Sequence, residues 1–89
     1  MNATLSEKTI ARVQDILMEQ LAVQRDQVTP EAAIVEDLGA DSLDMAEISM
    51  TVEETFNLTI PETAMESIRT VEDLHEALAA NLVRSAQPL

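Results

Sequence analysis

Four stretches of this chain place apolar residues at helical intervals, and the residues between them carry the signals that stop helices. In the first, Ile10, Val13, Leu17 and Leu21 recur three or four apart, Ile16 and Val23 flank the same side, and Thr4-x-x-Glu7 offers a capping box. The spacing predicts a helix from about Ser6 to Ala22. From Val23 to Ala40 the pattern breaks at Thr29-Pro30 and Gly39, which leaves a loop longer than compact domains usually tolerate. Val28, Ile34 and Leu38 are available to pin that loop to a core, and Pro30-Glu31-Ala32 is compatible with a short turn.

A second helix is expected from Ser42 to about Asn57. At about 100° per residue, Met45, Ile48, Val52 and Phe56 share one side, which makes it the buried one. Leu43, Ala46, Glu47, Met50 and Glu54 share the other side, where a helix that only covered a core would carry polar groups alone. Two readings stand there. Either a small bundle buries part of both faces, or Leu43 and Met50 are exposed among acids and form a mixed contact patch. A short third helix is expected from Pro61 to Ser67, with proline at its first position and Ala64, Met65 and Ile68 turned inward. The last begins at Thr70, a capping residue followed by Glu72 and Asp73, with Val71, Leu74, Leu78 and Leu82 as its buried stripe. No strand pattern competes. The fold class is therefore all-α: a small four-helix bundle with a long loop between the first and second helices and a short third helix. Residues 1–84 form its single domain, and Ser85-Ala86-Gln87-Pro88-Leu89 a flexible tail.

Composition narrows the function by exclusion. With 89 residues there is room for one modest core and no second module. There is no cysteine, so neither a disulfide nor a cysteine–zinc site is available. The 17 acidic residues against 5 basic ones, with Phe56 the only aromatic, argue against nucleic acid. No apolar run approaches the roughly 18 residues that span a bilayer, and the N-terminus lacks a basic region followed by an apolar one, so a soluble cytoplasmic protein is expected. Between Arg25 and Arg69 the chain holds eleven acidic residues and no lysine or arginine. Such a block repels itself, which is acceptable as a solvated face or useful as a docking surface for basic partners.

An enzyme is not expected. One histidine, His75, and no cysteine leave Ser42 with His75 as the sole nucleophile–base pairing, and Gly39-Ala40-Asp41-Ser42-Leu43 lacks the flanking glycines of a nucleophile elbow. His75 has no evident partner and reads as a surface residue. A metal site is not expected either, since Asp37, Asp41 and Asp44 are spaced by four and three instead of alternating around a central glycine. The informative stretch is Asp37-Leu38-Gly39-Ala40-Asp41-Ser42-Leu43-Asp44, where a glycine-containing loop meets an acidic amphipathic helix. Ser42 at this junction reads either as a capping or first-turn serine or as a site for a phosphate ester. A phosphodiester there would face free backbone N–H groups, and the helix dipole favours negative charge by about 0.3–1 kcal/mol.

The stretch resembles the modification site of acyl carrier proteins, whose Gly-x-Asp-Ser-Leu motif is matched by Gly39, Asp41, Ser42 and Leu43. The likeness continues through Val35-Glu36-Asp37-Leu38, Glu53-Glu54-Thr55-Phe56, Ile60-Pro61 and Ile68-Arg69-Thr70-Val71, so it covers roughly Ile10 to Leu82. It implies a 4'-phosphopantetheine arm, taken from coenzyme A by a phosphopantetheinyl transferase and joined to Ser42, with growing acyl chains held on its thiol as thioesters. Asp41 would position the loop and contact the transferase. Leu43, Asp44, Glu47, Met50 and Glu54 would form the docking face for ketosynthases, acyltransferases, reductases and dehydratases bearing basic patches. Tethering makes each encounter nearly intramolecular, with effective concentrations up to the millimolar range. Contacts near micromolar, about −8 kcal/mol, would allow release between steps.

Asp41 before the serine is similar to carriers of fatty-acid and polyketide synthesis, whereas peptidyl carriers more often show Gly-Gly-His-Ser there. The length points to a free-standing monomer. Three departures from the family pattern leave open a specialised pathway carrier with altered chain-length or partner preference: Ser49 replaces an apolar residue at an inward-leaning position, Thr51 replaces a small apolar one, and Ala46 trims the docking face. A pocket able to open between helices is expected in the core. The rivals are an aminoacyl or peptidyl carrier for nonribosomal synthesis and an unmodified acidic helical adaptor.

Overall fold

The computed structural model describes residues 5–86, with side chains through Asn81. Among these residues four α-helices are present: α1 Glu7–Leu21, α2 Ser42–Phe56, α3 Glu62–Ser67 and α4 Val71–Ala86. The bundle is all-α, and α1 packs chiefly on α2.

Helix boundaries follow from local hydrogen bonding. Ser6 caps α1 by accepting from the Thr9 N–H at 3.2 Å, so the cap lies two residues after the expected one, Thr4, which is outside the described residues. Both α1 and α2 end on a left-handed residue, Ala22 and Asn57, which lets the chain turn away. Pro61 takes the N-cap of α3 and not its first turn, and its carbonyl accepts from the N–H groups of Ala64 and Met65. Thr70 caps α4 through its hydroxyl, which accepts from the Asp73 N–H, while the Asp73 carboxylate accepts from the N–H groups of Arg69 and Thr70. These two N–H groups, Arg69's foremost, hold the Asp73 carboxyl below its ordinary pKa. The last helix runs to Ala86, two residues past the expected limit of the domain, and residues 87–89 lie outside the description.

The core is built from α1, α2, α4 and the connecting loops, with Ala64 and Met65 of α3 packed against it half-buried. Val13, Ile16 and Leu17 of α1 meet Ile48 and Val52 of α2 and Val71, Leu74 and Leu78 of α4, all buried. Ile16 is therefore a core residue and not a flank, while Ile10, Leu21 and Val23 are only half-buried. The Leu82 side chain lies outside the description. Val28, Ile34 and Leu38 pin the long loop into this core as expected. Backbone bonds fix the same loop from outside: Ala33 pairs with Thr70 in an isolated antiparallel bridge, Ile34 N–H donates to the Arg69 carbonyl at 2.9 Å, and Val71 N–H donates to the Ala32 carbonyl at 3.0 Å. A 3-10 turn at Arg25–Gln27, which periodicity did not reveal, opens the loop, and Arg25 pairs there with Asp15 of α1. A long segment that would otherwise be costly to order thus rests on the α3–α4 junction and on α1.

Candidate functional site: the loop–helix junction at Ser42

The loop reaches α2 through one enforced turn. Gly39 has φ +82°, a region other residues avoid, although a Cβ built there would meet nothing within 4 Å. Backbone conformation, and not crowding, requires glycine at this point. Behind it, the Asp37 carboxylate accepts from the Ala33 N–H at 2.8 Å, and Ala40 N–H donates to the Ile34 carbonyl at 3.1 Å. Leu38 and Ala40 are buried, so the loop is anchored on both sides of Gly39.

Asp41 is the N-cap of α2. Its carboxylate accepts from the Asp44 N–H at 2.8 Å, and the Asp44 carboxylate accepts from the Asp41 N–H at 3.1 Å, a reciprocal capping box. The capping role that a serine could have taken is therefore filled by Asp41. Ser42 is the first helical residue and is exposed, with its hydroxyl free of any protein partner among the described residues. Neither its N–H nor that of Leu43 finds an acceptor within the described chain, which leaves the positive end of the helix open beside the hydroxyl.

Past Ser42, α2 shows both kinds of surface. Leu43 and Met50 are 66% and 58% exposed, so the bundle does not cover this face. Glu47 and Glu54 are exposed beside them, but Asp44 is half-buried and lies toward α1. The Gln20 amide of α1 donates to Asp44 at 3.1 Å and to Glu47 at 2.6 Å. The Asp41 N–H first, and then Gln20, lower the Asp44 pKa from its ordinary value. Gln20 is a contributor that sequence reasoning missed, because no spacing rule relates position 20 to positions 44 and 47. The Asp41-x-x-Asp44 spacing itself signals this cap, a local role for Asp44 beyond the docking one expected of it.

Beside the junction, an open cleft of about 480 Å³ separates α2 from α3. Met45, Ser49 and Met50 line it from α2, and Ile60, Met65 and Ile68 from the other wall. Val35, a third exposed large apolar residue, stands at its edge. Across the molecule, His75 is half-buried and not the surface residue expected. Its Nε2 is buried with no partner among the described residues, and burial lowers its pKa, opposed by the nearby Glu72. It is not among the residues gathered at Ser42, and no group of histidine, aspartate or glutamate among the described residues could hold a metal ion.

Residues 11–78 match the family described as the phosphopantetheine attachment site. The acyl carrier protein of Syntrophobacter fumaroxidans is 50% identical over 70 residues, a match that covers 79% of this chain and 86% of the relative. That of Bdellovibrio bacteriovorus is 49% identical over 63 residues, or 71% and 81% of the two chains. The chain belongs to the acyl carrier protein family. Within it, the match contains the whole of the loop, α2 and α3, so the junction at Ser42 lies inside the shared region. The relatives are carriers and not catalysts, in line with the expectation that this chain is not an enzyme. No helix among the described residues is long and apolar enough to cross a membrane.

Proposed function

We propose that this protein carries acyl groups as thioesters on a 4'-phosphopantetheine arm joined to the Ser42 hydroxyl and delivers them to enzymes of fatty-acid, polyketide or related lipid synthesis. The observation that carries the assignment to this serine is its placement: an exposed, unpartnered hydroxyl on the first residue of α2, behind a glycine turn and an aspartate cap. The group fits. A phosphodiester emerging from Ser42 would meet solvent on one side and free N–H groups on the other, with no buried side chain to displace. When bound, the arm supplies the thiol that holds the acyl chain. The chain's own residues hold its base rigid and present it.

Asp41 serves as the cap that fixes the direction of Ser42 and presents its second carboxylate oxygen to the transferase. Leu43, Glu47, Met50 and Glu54 form the outward docking face, with charge to steer a basic partner and apolar area to hold it briefly. Asp44 belongs to that face at its inner edge, tied to Gln20. Partners are the transferase and the synthases, acyltransferases, reductases and dehydratases that work on the carried chain.

Incubation with coenzyme A and a broad-specificity phosphopantetheinyl transferase tests the reading by intact mass. A gain of one phosphopantetheine is expected. A chain that gains nothing would be an unmodified adaptor, and a chain charged by an adenylating enzyme with an amino acid in preference to an acyl group would be a peptidyl carrier.

A further inference from the structure

The cleft between α2 and α3 is apolar apart from one residue in its wall and two at its rim. Met45, Met50, Met65, Ile60 and Ile68 present flexible or branched hydrocarbon. Glu62 and Glu66 stand at the edge. Ser49 lines the cleft from α2, two turns beyond Ser42, or about 10 Å along the helix axis.

Among the described residues Ser49 is the one half-buried helical hydroxyl without a hydrogen-bond partner; Ser42, Thr55 and Thr63 also lack one, but they are exposed to water. Thr51 donates back to the Glu47 carbonyl at 2.9 Å, and Ser67 donates back to the Thr63 carbonyl at 3.3 Å. Ser49 makes no such bond among the described residues. It is half-buried, and its hydroxyl remains available in a wall that otherwise offers only hydrocarbon. A saturated chain laid over it would strip the hydroxyl of water and offer nothing in return, or would turn it back onto the helix as in Thr51. A chain bearing oxygen at that point would replace the lost water.

We propose that Ser49 makes this cleft selective for acyl groups that carry a hydroxyl or keto oxygen, in preference to saturated chains of the same length. The inference rests on the carrier reading, since the occupant is the acyl end of an arm tethered at Ser42 on the same helix. Condensation of two thioesters leaves a keto oxygen on the third carbon, and its reduction leaves a hydroxyl there, so such chains are the ordinary cargo before full reduction. The rim fits the same occupant. Glu62 and Glu66 repel a free carboxylate, whereas a thioester has none. A net hydrogen bond corresponds to about two- to tenfold in the equilibrium between inserted and exposed acyl chain.

The experiment uses the full chain, methyl-labelled at methionine, loaded at Ser42 with octanoyl or with 3-hydroxyoctanoyl arms and checked by intact mass. Chemical shifts of the Met45 and Met65 methyl groups report the fraction inserted. In the unsubstituted protein the hydroxylated chain is expected to be inserted about two- to tenfold more than the saturated one. Ser49→Val and Ser49→Ala should both remove that preference, and Ser49→Thr, which keeps the hydroxyl, should retain it. Equal insertion of the two chains in the unsubstituted protein overturns the proposal, as does a preference that survives both Ser49→Val and Ser49→Ala. Methyl shifts that respond to neither chain overturn it as well. A chain that takes no arm shows no mass gain and defeats the carrier reading itself, a result distinct from the others.

Discussion

Replacing Asp41 separates the two roles assigned to it. In Asp41→Ala the side-chain acceptor for the Asp44 N–H at 2.8 Å is lost, while the reverse bond, from the Asp41 backbone N–H to the Asp44 carboxylate, remains possible. Half of the capping box survives, so the expected cost is that of one N-cap, about 1 kcal/mol within a range of roughly 0.5–2. For a domain of this size that corresponds to a fall in Tm of about 4–8 °C. Asp41→Ser keeps a capping oxygen and should stay within a few tenths of a kcal/mol of the parent. Urea unfolding followed by circular dichroism suits a chain without tryptophan or tyrosine. The same three proteins are then loaded from coenzyme A. Asp41→Ser, stable but lacking the carboxylate, should load more slowly than the parent if Asp41 touches the transferase. An Asp41→Ala protein as stable as the parent, or an Asp41→Ser protein as unstable as Asp41→Ala, would refute the capping argument.

Three further outcomes are expected. Gly39→Ala should cost about 1–2 kcal/mol through its positive φ alone, since a methyl group there meets nothing, and unfolding by urea would show it. Glu47→Lys should slow association with a basic synthase at low salt and converge on the parent rate at high salt; stopped-flow rates across ionic strength check this. Asp73 has a native pKa below its ordinary value, so the stability it contributes is full above the unfolded aspartate range and is lost as pH falls through that range toward the lower native value. Asp73→Asn should therefore narrow the gap to the parent protein below about pH 4 and leave that gap constant above about pH 5, as read from urea midpoints across pH.

Much of this fold was legible because its strongest signals are periodic. The 3.6-residue spacing of Val13 and Leu17, of Ile48 and Val52, and of Val71, Leu74 and Leu78 located the buried side of three helices, and the isolated apolar residues Val28, Ile34 and Leu38 identified how the loop is held. Helix ends were harder to place. Thr4 and Ser6 both offer a cap hydroxyl near the start of α1, and only the Thr9 N–H bond decides for Ser6. The 3-10 turn at Arg25–Gln27 has no apolar period to announce it. It is held by the Gln24 N–H donating to the Gln27 side chain and by Arg25 reaching α1. At the site, the motif around Ser42 was visible because glycine, aspartate and serine each have a local role. Contacts between distant positions were not visible: Gln20 with Asp44 and Glu47, and the Glu53 carboxylate accepting from the Ile60 N–H at 2.9 Å, need the tertiary fold. The same holds for His75. With no evident partner in the sequence it reads as a surface residue, and only the packing around α4 buries its Nε2.

The exposed hydroxyl at the start of α2 is most directly tested by locating the arm within the chain. Trypsin should release residues 26–69 as one fragment, because no lysine or arginine lies between Arg25 and Arg69. After loading, fragmentation of that peptide in the mass spectrometer should place the phosphopantetheine on Ser42, and Ser42→Ala should carry none. An arm found on another residue, or one still acquired by Ser42→Ala, would contradict the assignment.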